Sequence, residues 1–195
     1  MDCEKAGQMI RTLRLEKQIT QKSLAGCLHL SDRTISKWER GLGYPDVALL
    51  PALSEVLGAD IGRILKGDLS VNAADGGNMK RVRFYRCPIC GNILTMTGAA
   101  EISCCGRKLT AMTARPADSE HQIKIERLED EYYITFLHPM HKTHYISFVA
   151  CVSWDRMLFV RLYPEQGGEL RLPRLAGRPD FYAGCSRHGL WKISE

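Results

Sequence analysis

The sequence predicts a multidomain chain: an all-α domain of five short helices, then a small knuckle built on four cysteines, then a β-sandwich. Three observations carry this. Apolar residues recur at helical spacing up to residue 66 and in strand-like alternation after Met79. A small, polar, aperiodic stretch, Gly67 to Asn78, separates the two patterns and reads as a flexible linker. Six of the eight cysteines and five of the six histidines fall after Met79. The expected segments are 1–66, a linker 67–78, 79–115 and 116–195.

The helices are expected near 4–16, 21–28, 32–40, 46–57 and 60–65. Their apolar faces are Met9, Ile10 and Leu13; Leu24, Ala25 and Leu28; Ile35 and Trp38; Val47, Leu50, Leu53 and Leu57. Thr20 and Ser31 suit N-caps, Gly41 and Gly58 suit stops, and Pro45-Asp46 and Asp60 suit starts. Strands are expected around Val82/Phe84, Ile93-Leu94, Ile123/Ile125, Tyr132–Phe136, Tyr145–Cys151 and Met157–Leu162.

Composition narrows the function classes. The 195 residues are 45% hydrophobic and 25% charged, which excludes collagen, a coiled-coil rod and a disordered chain. The longest apolar run, Ile146–Trp154, falls short of the ~20 residues a membrane helix needs, so no membrane partner is expected. Met1-Asp2-Cys3-Glu4-Lys5 has no apolar signal core, which predicts a cytoplasmic protein. Cysteines in that compartment serve as metal ligands more often than as disulfides. The net charge is +5, and residues 79–115 carry seven Lys/Arg against one acid. Such a balance permits nucleic-acid contact without establishing it.

The stretch Thr20-Gln21-Lys22-Ser23-Leu24-Ala25 … Ser31-Asp32-Arg33-Thr34-Ile35-Ser36-Lys37-Trp38-Glu39-Arg40-Gly41 describes two helices clamped by Leu24, Leu28, Leu30, Ile35 and Trp38. Asp32, Arg33, Ser36, Lys37 and Arg40 are left facing outward. A helix face of that chemistry can enter the DNA major groove. The stretch resembles the Cro/repressor-like (Xre-type) helix-turn-helix family over about residues 6–66. The resemblance implies a double-stranded DNA operator as partner. It makes Gln21 a phosphate contact and Asp32, Arg33 and Lys37 base-reading residues, with Ser36 and Arg40 near the DNA backbone. It also makes Arg14 and Glu39 an ion pair. Cys27 is expected to be a small core residue, and Cys3 to lie in a frayed terminus.

Cys87-Pro88-Ile89-Cys90 and Cys104-Cys105 offer four thiolates, a set that suits zinc or a single iron. The adjacent second pair strains a tetrahedron. Met79-Lys80-Arg81-Val82-Arg83-Phe84-Tyr85-Arg86-Cys87 … Cys104-Cys105-Gly106 resembles the desulforedoxin-like module that opens desulfoferrodoxin, where four cysteines hold one iron. Iron or zinc both stay open for Cys87, Cys90, Cys104 and Cys105.

Further on, His121, the segment His138-Pro139-Met140-His141-Lys142-Thr143-His144-Tyr145-Ile146 and the segment Cys185-Ser186-Arg187-His188-Gly189-Leu190-Trp191-Lys192 supply imidazoles and a thiolate, which suit iron, copper or zinc. The last two segments resemble the superoxide reductase (neelaredoxin) domain, the second domain of desulfoferrodoxin, here an immunoglobulin-like β-sandwich. The resemblance implies a mononuclear iron with His121, His138, His144 and His188 as equatorial ligands and Cys185 as the axial one. His141 matches no ligand and is expected in solvent; Cys151 is expected inside a strand. Where the family has Glu-Lys-His before its first ligand, this chain has Ser119-Glu120-His121. Glu120 thus replaces the lysine that attracts superoxide, or itself caps the iron.

The expected protein is an iron-containing, redox- or superoxide-responsive transcription regulator acting as a homodimer. The alternative is a superoxide reductase, fed by an unidentified electron donor, with an accessory helix-turn-helix.

Overall fold

A computed structural model describes residues 2–68 and 70–193. Leu69, in the expected linker, lies outside the described residues. The chain divides near residue 71 into two compact units.

The first unit is helical: α1 (Cys3–Glu16), α2 (Gln21–Cys27), α3 (Asp32–Glu39), α4 (Leu50–Leu57) and α5 (Ile61–Lys66). Polar side chains open the helices as the sequence predicts. Ser23 N donates to Thr20 Oγ1 at 3.0 Å, and Thr34 N donates to Ser31 Oγ at 3.3 Å. Each such cap contributes about 1 kcal/mol. Gly58 closes α4 in the left-handed conformation. The expected helix 46–57 is instead a 3₁₀ turn, Val47–Leu49, followed by α4. Pro51 explains the break: with no N–H and a bulky ring, it fits only in the first turn of an α-helix.

Ile10, Leu24, Ile35, Leu53, Leu57 and Ile64 form the fully buried centre of this unit, with Trp38 beside them. Gly7 allows α1 to touch α3, since a Cβ there would lie 2.0 Å from the Trp38 carbonyl oxygen. Two expectations fail. Cys27 is exposed rather than in the core, because Leu24 and Ala25 take the inward face of α2 and Cys27 falls outside it. Cys3 does not lie in a frayed end but opens α1, held by the Asp2 carboxylate that accepts from Glu4 N and Lys5 N.

The second unit is β-rich. β1 (Arg83–Arg86) pairs with β2 (Ile93–Met96), and β3 (Ile102–Cys104) with β4 (Arg107–Leu109), both antiparallel. β6 (Ile123–Arg127), β7 (Glu131–Phe136) and β10 (Glu169–Pro173) form a three-stranded sheet in the order β10-β7-β6. β5 (Ala114–Pro116), β8 (Ile146–Val152), β9 (Met157–Arg161), β11 (Asp180–Cys185) and β12 (Gly189–Ile193) form a five-stranded sheet in the order β5-β12-β11-β8-β9. β5 runs parallel to β12, so the residues on either side of position 115 share one strand.

The two larger sheets pack face to face. Ile134 and Phe136 from one meet Val149, Phe181 and Trp191 from the other. The opposite face of β8 is covered as well. Phe148, Ala150 and Val152 bury against Val82 and Phe84, with the Phe84 and Phe148 rings stacked 5.4 Å apart. Cover on both faces explains why every residue of β8 is buried and nearly all are apolar, Ser147 being the polar exception, its hydroxyl donating to Gly184 O. Cys151 is buried within it, as expected. Gly184 of β11 admits the Phe148 ring, which a Cβ would approach to 2.0 Å.

Candidate metal centres and nucleic-acid interface

Five ligand atoms converge in the second unit. Those of His121, His138, His144, Cys185 and His188 all lie within 4.8 Å of one another. They come from three places: the loop before β6, the 138–144 segment after β7, and the end of β11 with its turn into β12. Hydrogen bonds tie the second and third together. Ser186 N donates to Tyr145 O at 2.8 Å, and Tyr145 N donates to Ser186 Oγ at 3.0 Å. Arg187 Nε donates to Thr143 O at 3.1 Å. Arg86 and Arg115 donate to the Ser186 and His188 carbonyls.

Partners on the far ring atoms decide which nitrogen each imidazole offers. Asp118 Oδ1 lies 2.6 Å from His121 Nδ1, leaving Nε2 for the cluster. The Pro139 carbonyl lies 2.6 Å from His138 Nδ1, again leaving Nε2. His188 turns the other way, its Nδ1 3.0 Å from His121 Nε2. The Arg187 backbone N–H donates to Cys185 Sγ at 3.4 Å, which fixes the position of the sulfur. A backbone turn, with His141 N to His144 O at 2.9 Å and the reverse bond at 3.0 Å, aims His144 inward and leaves His141 exposed, as expected.

The residues fit a metal ion. His138 Nε2 and His144 Nε2 are buried without a hydrogen-bond partner among the described residues. Such orphaned atoms are costly unless something absent from the protein satisfies them. Burial pushes the His138 imidazole below its ordinary range, outweighing the Pro139 carbonyl. Burial, helped by the neighbouring His188 and Arg187, does the same to His144. The neutral imidazole favoured in both is the form that ligates a metal. Glu120 is exposed, and its charge acts on His144 in the opposite sense.

Two supporting residues escaped the sequence reading. Asp118 orients His121 from three positions upstream. Trp191 lies flat on His121, with ring centroids 3.7 Å apart. The Asp-x-x-His spacing is the signal that could have found Asp118.

Cys87, Cys90, Cys104 and Cys105 make a second cluster, with their sulfurs also within 4.8 Å. The adjacent pair reaches one point because Cys105 adopts φ 50° and Gly106 φ 72°. That left-handed turn swings both sulfurs to one side. The Cys90 backbone N–H, ahead of that of Ile89, holds the Cys87 thiol down to about 6. The Cys90 thiol, then those of Cys87 and Cys104, push Cys105 up to about 12.

In the first unit, α2 and α3 meet through a tight turn. Leu30 N donates to Ala25 O at 2.8 Å, and His29 takes a φ of 54°. Asp32, Arg33 and Lys37 are exposed on α3, Arg40 is exposed at its C-terminal cap, and Ser36 is half-buried. The expected ion pair forms and is buried: Arg14 Nε and Nη2 donate to the two Glu39 carboxylate oxygens at 2.6 and 3.0 Å. Gln21 donates its amide to the same carboxylate at 2.7 Å. Burial would raise the Glu39 carboxyl, but the bonds from Arg14 and Gln21 hold it below its ordinary range.

The comparisons with known proteins fall on the same two units. A helix-turn-helix family model, HTH_3, matches residues 10–64. The HTH-type transcriptional regulator DicA of Escherichia coli is 44% identical over 62 residues; these are 32% of this chain and 46% of that protein, so the chain spans less than half of this relative. A desulfoferrodoxin of Syntrophotalea carbinolica is 27% identical over 120 residues, covering 57% of this chain and 95% of that protein. The superoxide reductase of Treponema pallidum superposes with a TM-score of 0.51 at 19% identity, over 57% of this chain and 96% of that one, a likeness of fold. The chain thus joins an N-terminal helix-turn-helix domain of the Xre (HTH_3) type to a C-terminal region homologous to desulfoferrodoxin.

Proposed function

We propose that this protein is an iron-containing, redox-responsive transcription regulator. The observation that carries the reading is the presence in one chain of an exposed Arg/Lys face on α3 and a cluster of four imidazoles and a thiolate with orphaned nitrogens. His121, His138, His144 and His188 hold the iron through Nε2, Nε2, Nε2 and Nδ1, with Cys185 as the thiolate. Cys87, Cys90, Cys104 and Cys105 hold a second ion, iron or zinc. Iron bound to such a donor set supplies one-electron redox chemistry.

The protein's own groups do the rest. Asp118 and the Pro139 carbonyl fix the ring orientations, the Arg187 N–H holds the Cys185 sulfur in place, and Trp191 screens His121 from water. On the DNA side, Arg33, Lys37 and Asp32 face base edges, while Gln21, Ser36 and Arg40 stand near phosphates. A homodimer presents two such helices to successive major grooves about 34 Å apart. Superoxide or a related oxygen species is the signal. The test is the affinity of the purified, metal-loaded protein for its own upstream DNA in the reduced and oxidised states. Different affinities are expected; equal affinities overturn the reading.

A second reading has specific support from the ligand cluster: superoxide reductase activity, drawing on an electron donor, with the helix-turn-helix as an accessory. Stopped-flow oxidation of the reduced protein by superoxide separates the two. A rate near the diffusional ceiling of about 10⁸–10⁹ M⁻¹s⁻¹ supports the enzyme. A far slower rate supports the regulator, which Glu120 in place of the family's lysine favours.

A further inference from the structure

β1 leads into one candidate metal cluster and touches the turn that carries the other. Its last residue, Arg86, precedes Cys87 of the cysteine cluster. The Arg86 side chain is half-buried and donates through Nη1 to Ser186 O. It pairs with no carboxylate among the described residues. The Ser186 carbonyl belongs to the same peptide group as the Arg187 N–H, which donates to Cys185 Sγ at 3.4 Å. One planar peptide therefore stands between the guanidinium and the sulfur, with a contact on each side.

A second contact runs beside the first. Phe84, two residues before Arg86, stacks on Phe148 of β8 with centroids 5.4 Å apart. Phe148 lies opposite Gly184 of β11, which has no Cβ to keep the ring out. β11 then shifts register against β8 between Gly184 and Cys185. Breaks of this kind re-aim a side chain. Cys185 thus sits at a break in the ladder, with Gly184 before it held under Phe148 and Ser186 after it held by Arg86.

The cysteine end of this link needs support of its own. β3 and β4 form a two-stranded hairpin, and none of their residues belongs to a hydrophobic core cluster of the described residues. Such a hairpin is marginal in water by itself. Sharing one metal ion among Cys104, Cys105, Cys87 and Cys90 would tie the hairpin to the end of β1.

We propose that Arg86 is a positioning residue that couples the two clusters. With the four cysteines on one metal ion, Cys87 is fixed and Arg86 with it. Arg86 then holds the Ser186–Arg187 peptide so that Cys185 Sγ points into the histidine cluster. Filling the cysteine cluster therefore tightens metal binding by His121, His138, His144, Cys185 and His188. This rests on the proposed function in one respect, that both clusters hold metal. It adds regulation to that reading: the state of the cysteine cluster sets the readiness of the redox site.

The experiment is a double-mutant cycle on the full-length chain. Cys90→Ser with Cys105→Ser disables the cysteine cluster at two exposed positions, and Arg86→Leu cuts the link. The probe is cobalt(II) against a competing chelator, read by absorption, since four sulfurs and one sulfur give distinct bands. With Arg86 present, disabling the cysteine cluster should weaken cobalt binding at the histidine cluster by about fivefold or more. With Arg86→Leu that cluster is already weakened, and disabling the cysteines should change it by less than about twofold. An arginine that only supports the fold weakens the histidine cluster by the same factor in both backgrounds, and that additive result overturns the proposal. Melting curves of the metal-free variants check folding. Should Arg86→Leu fail to fold, Arg86→Lys takes its place and is expected to keep only part of the coupling; full coupling there overturns the role of the guanidinium. If either cluster binds no cobalt, the metal reading falls together with the proposal. If both bind but independently, the proposal alone falls.

Discussion

The Trp191 indole lies flat against the His121 imidazole, with centroids 3.7 Å apart and planes 11° from parallel. The Arg115 guanidinium covers the ring at 5.2 Å, and Asp118 grips the His121 Nδ1. One candidate ligand is thus fixed from its flat side and from its far edge by residues that do not themselves join the cluster.

Asp118→Asn keeps the shape at that edge but removes the charge. Groups that orient a ligand in this way contribute about 10–100-fold in metal affinity. Metal affinity is expected to fall by that factor, read by competition with a chelator, while the melting temperature of the metal-free protein stays within about 2 °C. Trp191→Phe opens a cavity in the core and should cost about 2 kcal/mol of stability.

The Arg14–Glu39 pair predicts an acid-sensitive first unit. Glu39 is held below its ordinary value of 4.5. Its contribution to stability is therefore complete above that ordinary value and is lost as pH falls through the lower, folded-state one. Arg14→Met leaves a buried carboxylate without its cation and should cost about 3–5 kcal/mol at neutral pH. Arg14→Met with Glu39→Leu should recover much of that loss. Thermal melts across pH check both.

Gly7→Ala should destabilise the same unit without touching polar chemistry. The new Cβ meets the Trp38 carbonyl oxygen at 2.0 Å, and backbone cannot step aside as a flexible side chain can. A loss of about 3 kcal/mol is expected from chemical denaturation.

On α3, Arg33→Ala and Lys37→Ala remove exposed charge and no packing. Each should weaken binding to the protein's own upstream DNA by about 1–3 kcal/mol in fluorescence anisotropy, with the melting temperature unchanged. Equal affinity would remove that residue from the DNA face.

Glu120→Lys reverses a charge whose field reaches His144. Oxidation of the reduced protein by superoxide should speed up by about tenfold at low ionic strength, and the gain should shrink as salt screens it. A salt-independent rate would show that Glu120 does not steer the anion.

Much of this protein follows from local chemistry that a linear reading detects. Thr20 and Ser31 cap helices because their hydroxyls accept from nearby backbone N–H groups, and Ile35 and Trp38 share a face because a helix turns every 3.6 residues. The nine candidate metal ligands are singled out by residue type together with the resemblance to desulfoferrodoxin, which sets His141 aside, and they gather into two clusters. Other features needed the folded chain. β11 shows no alternation because both of its faces are buried, and β5 is recognisable only through its parallel partner β12. Leu170 and Leu172 do alternate in β10, but a run of five residues carries little periodic signal. Cys27 looks apolar enough for the core, yet its angular position on α2 puts it outside.

The amino-acid sequence by itself determined which side chains can hold metal or face DNA, because those capacities belong to the residues. Tertiary structure alone decided which imidazole nitrogen points inward and that Trp191 backs His121. These depend on segments far apart in the chain, and only folding sets their distances.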